Sequence, residues 1–200
     1  MLKNKMKYLA FSLFVFCFLA FDCYAQKSVM DFFDLRKAQL QAYNKQKLSF
    51  KIKIKDIKNG YIAYETENAE TYEEMAYYIP ASGNKFAVIV NFDCGPVCFS
   101  GMPSFFEIIN GKLTDKTEKY FPKVIADEIE KGLRNARSKI KVKDRENTLV
   151  EWVEVPQIGT NIKFGLNEET LDGKRTFHVI FTYLHDKASG SFKLQKEVGF

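Results

Sequence analysis

The chain has 200 residues, of which 46% are apolar, 28% charged and 15% aromatic, with 11 Gly, 5 Pro and 4 Cys. That balance excludes a disordered or collagen-like chain and a disulfide-dense scaffold, and it provides enough apolar surface for a sizeable core. The formal charge of +5 combines two segments with different fates.

Residues 1–25 carry the pattern of a secretory signal peptide. Lys3, Lys5 and Lys7 form a positive leader, Tyr8 to Phe21 is a 14-residue uncharged run, and Cys23-Tyr24-Ala25 places small residues at −3 and −1 of a cut before Gln26. A membrane-spanning helix needs roughly 20 apolar residues. The expectation is therefore cleavage, no permanent membrane span, and a single β-rich domain over residues 26–200 in the periplasm or secreted. Cys17 follows Phe16 and Cys23 follows Asp22, so neither has the small preceding residue that lipidation requires. Cleavage removes three of the 30 basic residues and one of the 25 acidic ones, leaving 27 against 24 and a charge of +3. Such a weak charge does not suit a nucleic-acid partner. Of the four cysteines only Cys94 and Cys98 stay.

Along the mature chain, Ser28 caps a predicted amphipathic helix to about Tyr43, with Val29, Phe32, Phe33, Leu40 and Tyr43 forming its core-facing stripe. Phe50, Ile52 and Ile54 then alternate with Lys51, Lys53 and Lys55, the period of a half-exposed strand. Asn59-Gly60 predicts a tight hairpin turn returning through Tyr61 to Thr66. The acidic group Glu65, Glu67, Glu70, Glu73 and Glu74 lacks calcium-loop spacing and is expected to be a solvated stretch. Met75 to Ile79 and Phe86 to Phe92 read as strands, the second apolar on both faces and thus central. Ser104 to Ile109 and Lys112 to Lys116 flank Asn110-Gly111 as another hairpin, and Ile125, Ile129, Leu133 and Ala136 place a second helix over about residues 122–138. Strands are expected at 149–155, 160–166, 176–184 and 191–198, separated by turn-forming sequences. The short connections require antiparallel pairing. The expected fold is α+β and β-rich: an antiparallel hairpin or meander sheet with an N-terminal helix and one mid-chain helix.

The compact reactive feature is Asp93-Cys94-Gly95-Pro96-Val97-Cys98 at the end of the most apolar strand. In an oxidising compartment two cysteines this close form a disulfide where geometry allows, and the expectation is a structural one. A pair of thiolates also suits Cu(I), with an imidazole as third ligand, His178 or His185 being brought near by folding. FAVIVNF followed by CGPVC, with His178 eighty residues further on, resembles Sco-type copper chaperones. That thioredoxin-like family continues with a long helix, whereas Gly101, Met102-Pro103 and Asn110-Gly111 oppose one here. No nucleophile elbow, phosphate-binding loop or dinucleotide fingerprint occurs, and His178 and His185 have no metalloprotease spacing. Trp152, Tyr72, Tyr77 and Tyr78 are expected to serve cross-strand and core packing ahead of a groove for carbohydrate or peptide.

The succession KDIKNGYIAYE, AYYIPASGNKFAVIV, CGPVC, FFEIINGKLTDKTEKYFP, VEVPQIGTNIKF and FTYLHDKASGSFKL resembles a group of uncharacterised exported bacterial proteins with a CGPxC loop and NG hairpins. The resemblance spans most of residues 50–195. It implies export and a β-rich fold, and it brings no activity. The functional expectation is an exported, non-enzymatic protein without a cofactor, serving binding or envelope-associated interaction, with a structural Cys94–Cys98 disulfide. The alternatives are a periplasmic thiol-redox or copper-binding protein using the same pair, and an inhibitor or immunity-like partner protein.

Overall fold

A computed structural model describes residues 28–45, 47–66, 71–81, 83–94, 98–140, 148–169 and 174–197. The signal-peptide expectation and the Gly95-Pro96-Val97 turn lie outside the described residues. The fold is α+β and β-rich, with antiparallel strands throughout. Helix α1 (Val29–Asn44) is followed by β1 (Phe50–Asp56), β2 (Tyr61–Thr66), β3 (Thr71–Tyr78), β4 (Phe86–Cys94), β5 (Cys98–Ser100), β6 (Ser104–Ile109) and β7 (Lys112–Asp115). A short helix α2 (Thr117–Tyr120) and the mid-chain helix α3 (Lys123–Arg137) lead to β8 (Thr148–Glu154), β9 (Ile162–Glu169), β10 (Arg175–His185) and β11 (Phe192–Lys196).

The strands divide into two sheets. The first has the order β1-β2-β3-β4-β6-β7, with β5 also paired to β4; the second has the order β11-β10-β9-β8. The β4 edge is shared because β5 and β6 are two pieces of one broken strand. Phe92 faces Ser100 while Ile89 faces Ser104, so the partner strand carries one extra residue across Gly101-Met102-Pro103. An extra residue of this kind bends the strand and re-aims its side chains beyond the break.

The first sheet buries both faces, and β4 shows it most clearly. Phe86, Val88, Val90 and Phe92 join the core between the two sheets, which also holds Phe105, Phe121, Phe164 and Tyr183 together with Ile129 and Leu133 of α3. The alternate residues Ala87 and Ile89 lie under α1, against Phe32 and Phe33. Period-two alternation puts these two sets on opposite faces, and each fully buried large apolar side chain contributes roughly 1.5–3 kcal/mol. Helix α1 begins where expected: Ser28 accepts from the Met30 N–H, and Asp31 reaches back to the Ser28 N–H. That reciprocal box satisfies two free helix-end donors.

Four local expectations change. Only the first half of the α1 stripe is buried, for Tyr43 is 85% exposed. Strand β1 is a sheet edge with a register irregularity between Ile52 and Ile54, so both isoleucines are exposed; Lys51 and Lys53 meet Glu65 on the neighbouring strand. The β1–β2 connection is a four-residue turn in which the Gly60 N–H donates to the Ile57 carbonyl and only Gly60 has positive φ. Asn110 and Gly111, by contrast, both have positive φ and join Ile109 to Lys112 as a two-residue hairpin. Finally, part of the acidic group is not a solvated stretch: Glu65 lies on β2, Glu73 and Glu74 belong to β3, and Glu73 is buried, while Glu67 and Glu70 lie outside the described residues.

Candidate functional site

The features outside simple packing gather where β4 outruns α1. On the helix-facing side of the sheet, Ala87 and Ile89 are covered, but Asn91 and Asp93 come next on the same face and are exposed. Their cross-strand partners are Glu73 and Thr71 on β3 and, for Asp93, Phe99 on β5. Leu40, Tyr43 and Asn44 of α1 form the opposite wall. The result is a groove of about 520 Å³ running between the end of the helix and the β4–β5 hairpin.

The hairpin is pinned from three directions. Cys94 and Cys98 face each other as the last β4–β5 pair and are joined by a disulfide, with their Cα atoms 4.1 Å apart. The Gly101 N–H donates to the Asn91 carbonyl at 2.8 Å. Beneath the hairpin, the Val153 N–H of β8 donates to Ser100 Oγ at 2.7 Å, and Trp152 packs on Phe92 with ring centroids 4.8 Å apart. Trp152 and Tyr72 thus support the site from the inter-sheet core, as expected of packing residues. Phe99 has no such cover and is 50% exposed.

The groove floor is an ion pair. Arg36 Nη2 and Nε of α1 donate to Glu73 Oε1 and Oε2 at 2.7 and 3.1 Å, and the Tyr64 hydroxyl donates to Glu73 Oε2. This two-pronged geometry is the strong form of a carboxylate–guanidinium contact. Burial opposes the charge on Arg36, but the hydrogen bond and the charge of Glu73 outweigh it and its pKa is raised. Burial, reinforced by Glu73, pushes the Tyr64 hydroxyl well above its ordinary range. The Asn91 and Asp93 side chains, in contrast, have no hydrogen bond or ion pair among the described residues.

A second buried carboxylate, Glu107 on β6, accepts from Lys119 Nζ at 2.7 Å, the Tyr120 hydroxyl at 2.8 Å and Asn84 Nδ2 at 2.6 Å. Burial works against its ionisation, yet those three donors prevail and its pKa is lowered. With three donors on its two oxygens it acts as a strut tying β6 to α2 and to Asn84. His178 stands on β10 with Nε2 3.3 Å from Glu168 Oε2. It is not brought together with Cys94 and Cys98; among the described residues no group of three or more His, Cys, Asp and Glu side chains is arranged to hold a metal ion. His185 lies in an aromatic box of Tyr78, Phe86 and Phe192.

Sequence reasoning found the Cys pair and missed the rest of the groove. Arg36 and Glu73 are 37 positions apart and in different elements. The available signal was the alternation Glu73, Met75, Tyr77 against Tyr72, Glu74, Ala76, which puts one glutamate on the face that α1 covers. Comparison of the chain with protein-family models, curated proteins and solved structures gives no match.

Proposed function

We propose that the protein is an exported, non-enzymatic binding module of the periplasm or the extracellular space, and that its contact surface is the groove between α1 and the disulfide-closed hairpin. The observation that carries this reading is the pairing of a rigid frame with unengaged side chains. The disulfide, the Ser100 contact and the Arg36–Glu73 floor fix the walls, while Asn91, Asp93, Tyr43 and Phe99 face solvent. Preorganised frames of this kind limit the ordering that binding requires. Of the buried carboxylates, Glu73 and Glu107 are held by neighbouring donors and Glu168 lies 3.3 Å from His178 Nε2, as structural groups do.

The test is a photoreactive phenylalanine analogue at position 99, in protein exported through its own leader, with the same label at the exposed Val124 of α3 as control. Adducts formed at 99 and missing at 124 support the groove; matching adduct patterns overturn it. An inhibitor or immunity-like role is the case in which the adduct is one defined protein. The exposure of Cys94 favours a second reading, in which the pair exchanges thiols or binds Cu(I) after reduction. Alkylation and mass spectrometry of the exported protein separate the two: a fully oxidised pair supports the structural role, and free thiols that retain Cu(I) replace it.

A further inference from the structure

Resting on that reading of the groove, we infer that its ligand is an oligosaccharide, uncharged or amino-bearing, held between Tyr43 and Phe99 and read by Asn91 and Asp93. The chemistry of the four exposed groups carries the assignment. Two exposed aromatic rings stand on opposite walls, Tyr43 on the helix and Phe99 on the hairpin. An aromatic face is an apolar surface that packs on the C–H face of a sugar ring. Between them lie a carboxylate and an amide with free hydrogen-bonding capacity. They offer donors and acceptors about 6.6 Å apart, the spacing of alternate residues on one strand, which suits hydroxyls on opposite sides of a sugar ring or on neighbouring sugar units.

Other ligand classes fit less well. An extended peptide recognised by strand addition needs a free backbone edge of several residues, but at the groove β3 and β4 are paired on both sides, and β5, which among the described residues pairs only with β4, offers an outer edge of just three residues, Cys98–Ser100. An anion meets the Asp93 carboxylate, and the nearby guanidinium of Arg36 is already neutralised by Glu73 at 2.7 Å. A purely apolar partner would leave Asn91 and Asp93 dehydrated and unpaired. A polyhydroxyl ligand with apolar faces satisfies both kinds of group. An amino substituent adds an ion pair with Asp93.

The experiment is an NMR titration of the exported protein with chitotetraose and, separately, with its deacetylated counterpart. Shifts confined to Tyr43, Asn91, Asp93 and Phe99, with at least about tenfold weaker binding in Phe99→Ala, Tyr43→Ala and Asp93→Ala and no change in Val124→Ala, support the inference. The altered side chains are exposed, and an intact Cys94–Cys98 bond with unchanged shifts elsewhere verifies folding. If neither oligomer shifts the groove while the label at 99 still captures a protein, the saccharide assignment falls and the groove stands. If neither oligomer binds and the label captures nothing, both fall.

Discussion

Tyr78 and His185 meet edge to face with ring centroids 4.9 Å apart, and the Tyr78 hydroxyl and both His185 ring nitrogens are buried with no hydrogen-bond partner among the described residues. An unpaired buried hydroxyl costs about 1–3 kcal/mol, so Tyr78→Phe is expected to leave stability unchanged or to raise it by about 1 kcal/mol in urea melts at neutral pH. A loss of stability would show that the hydroxyl has a partner. His185 adds a pH dependence. Desolvation lowers its pKa below the ordinary 6.5, with Lys187 acting in the same direction and Asp186 opposing. Above that value the ring is neutral in both states; as pH falls below it, the unfolded chain takes up the proton first, and stability declines until the folded pKa is passed. His185→Phe fits the same box and should remove that decline, as seen by melts taken between neutral pH and about pH 5. The Arg36–Glu73 pair behaves oppositely to a removable ornament. Arg36→Met strands a buried carboxylate and should destabilise by about 3–5 kcal/mol, whereas the exposed pair Lys37–Asp34 at 3.5 Å should contribute less than about 1 kcal/mol.

Individual elements carry their own tests. A Cβ on Gly165 of β9 would collide with the His178 carbonyl and the Phe177 ring on β10. Backbone cannot yield as a side-chain tip does, so Gly165→Ala should destabilise by roughly 2–3 kcal/mol, measurable as a lower urea midpoint. Gly132 of α3 is closed by the Phe181 ring instead, a neighbour that has some room to turn. The β4–β5 hairpin is bridged over a very short loop, so Cys94→Ser with Cys98→Ser should lower stability by only about 2 kcal/mol and leave the two sheets assembled. Some of these elements are legible in the sequence and others are not. The Asn110-Gly111 turn, the two-faced apolar β4 and the Ile129–Leu133–Ala136 stripe of α3 are readable because their signals are local: turn chemistry and periodicity. The exposed Tyr43, the broken β5–β6 strand and the buried Glu73 are not, because each is decided by a partner distant in the chain. Tyr43 has helical spacing, but no layer extends beneath it. Glu73 resembles its acidic neighbours until Arg36 is folded over it. The cysteines are identifiable as a pair, and their place in a groove depends on where α1 stops.

At the scale of the whole molecule, strand pairing joins neighbours in the chain, with β5 and β6 counted as one broken strand, and each sheet is contiguous: residues 50–115 build one and 148–196 the other. Such local pairing favours rapid formation of each meander. It also imposes an order. During synthesis in the N-to-C direction, the first meander can close before β8 to β11 are present. Its inner face, with Tyr61, Tyr78, Phe86, Val88, Val90, Phe92 and Phe105, then lacks the second sheet, and residues already present, such as Tyr120 on Phe86 and Phe121 on Phe105, cover only part of it. A chain halted before residue 148 should consequently bind hydrophobic dyes and aggregate more than the full chain, as measured by dye fluorescence and light scattering. Sequence contiguity of the two sheets thus gives the growing chain a half-covered stage, which ends when the second meander arrives.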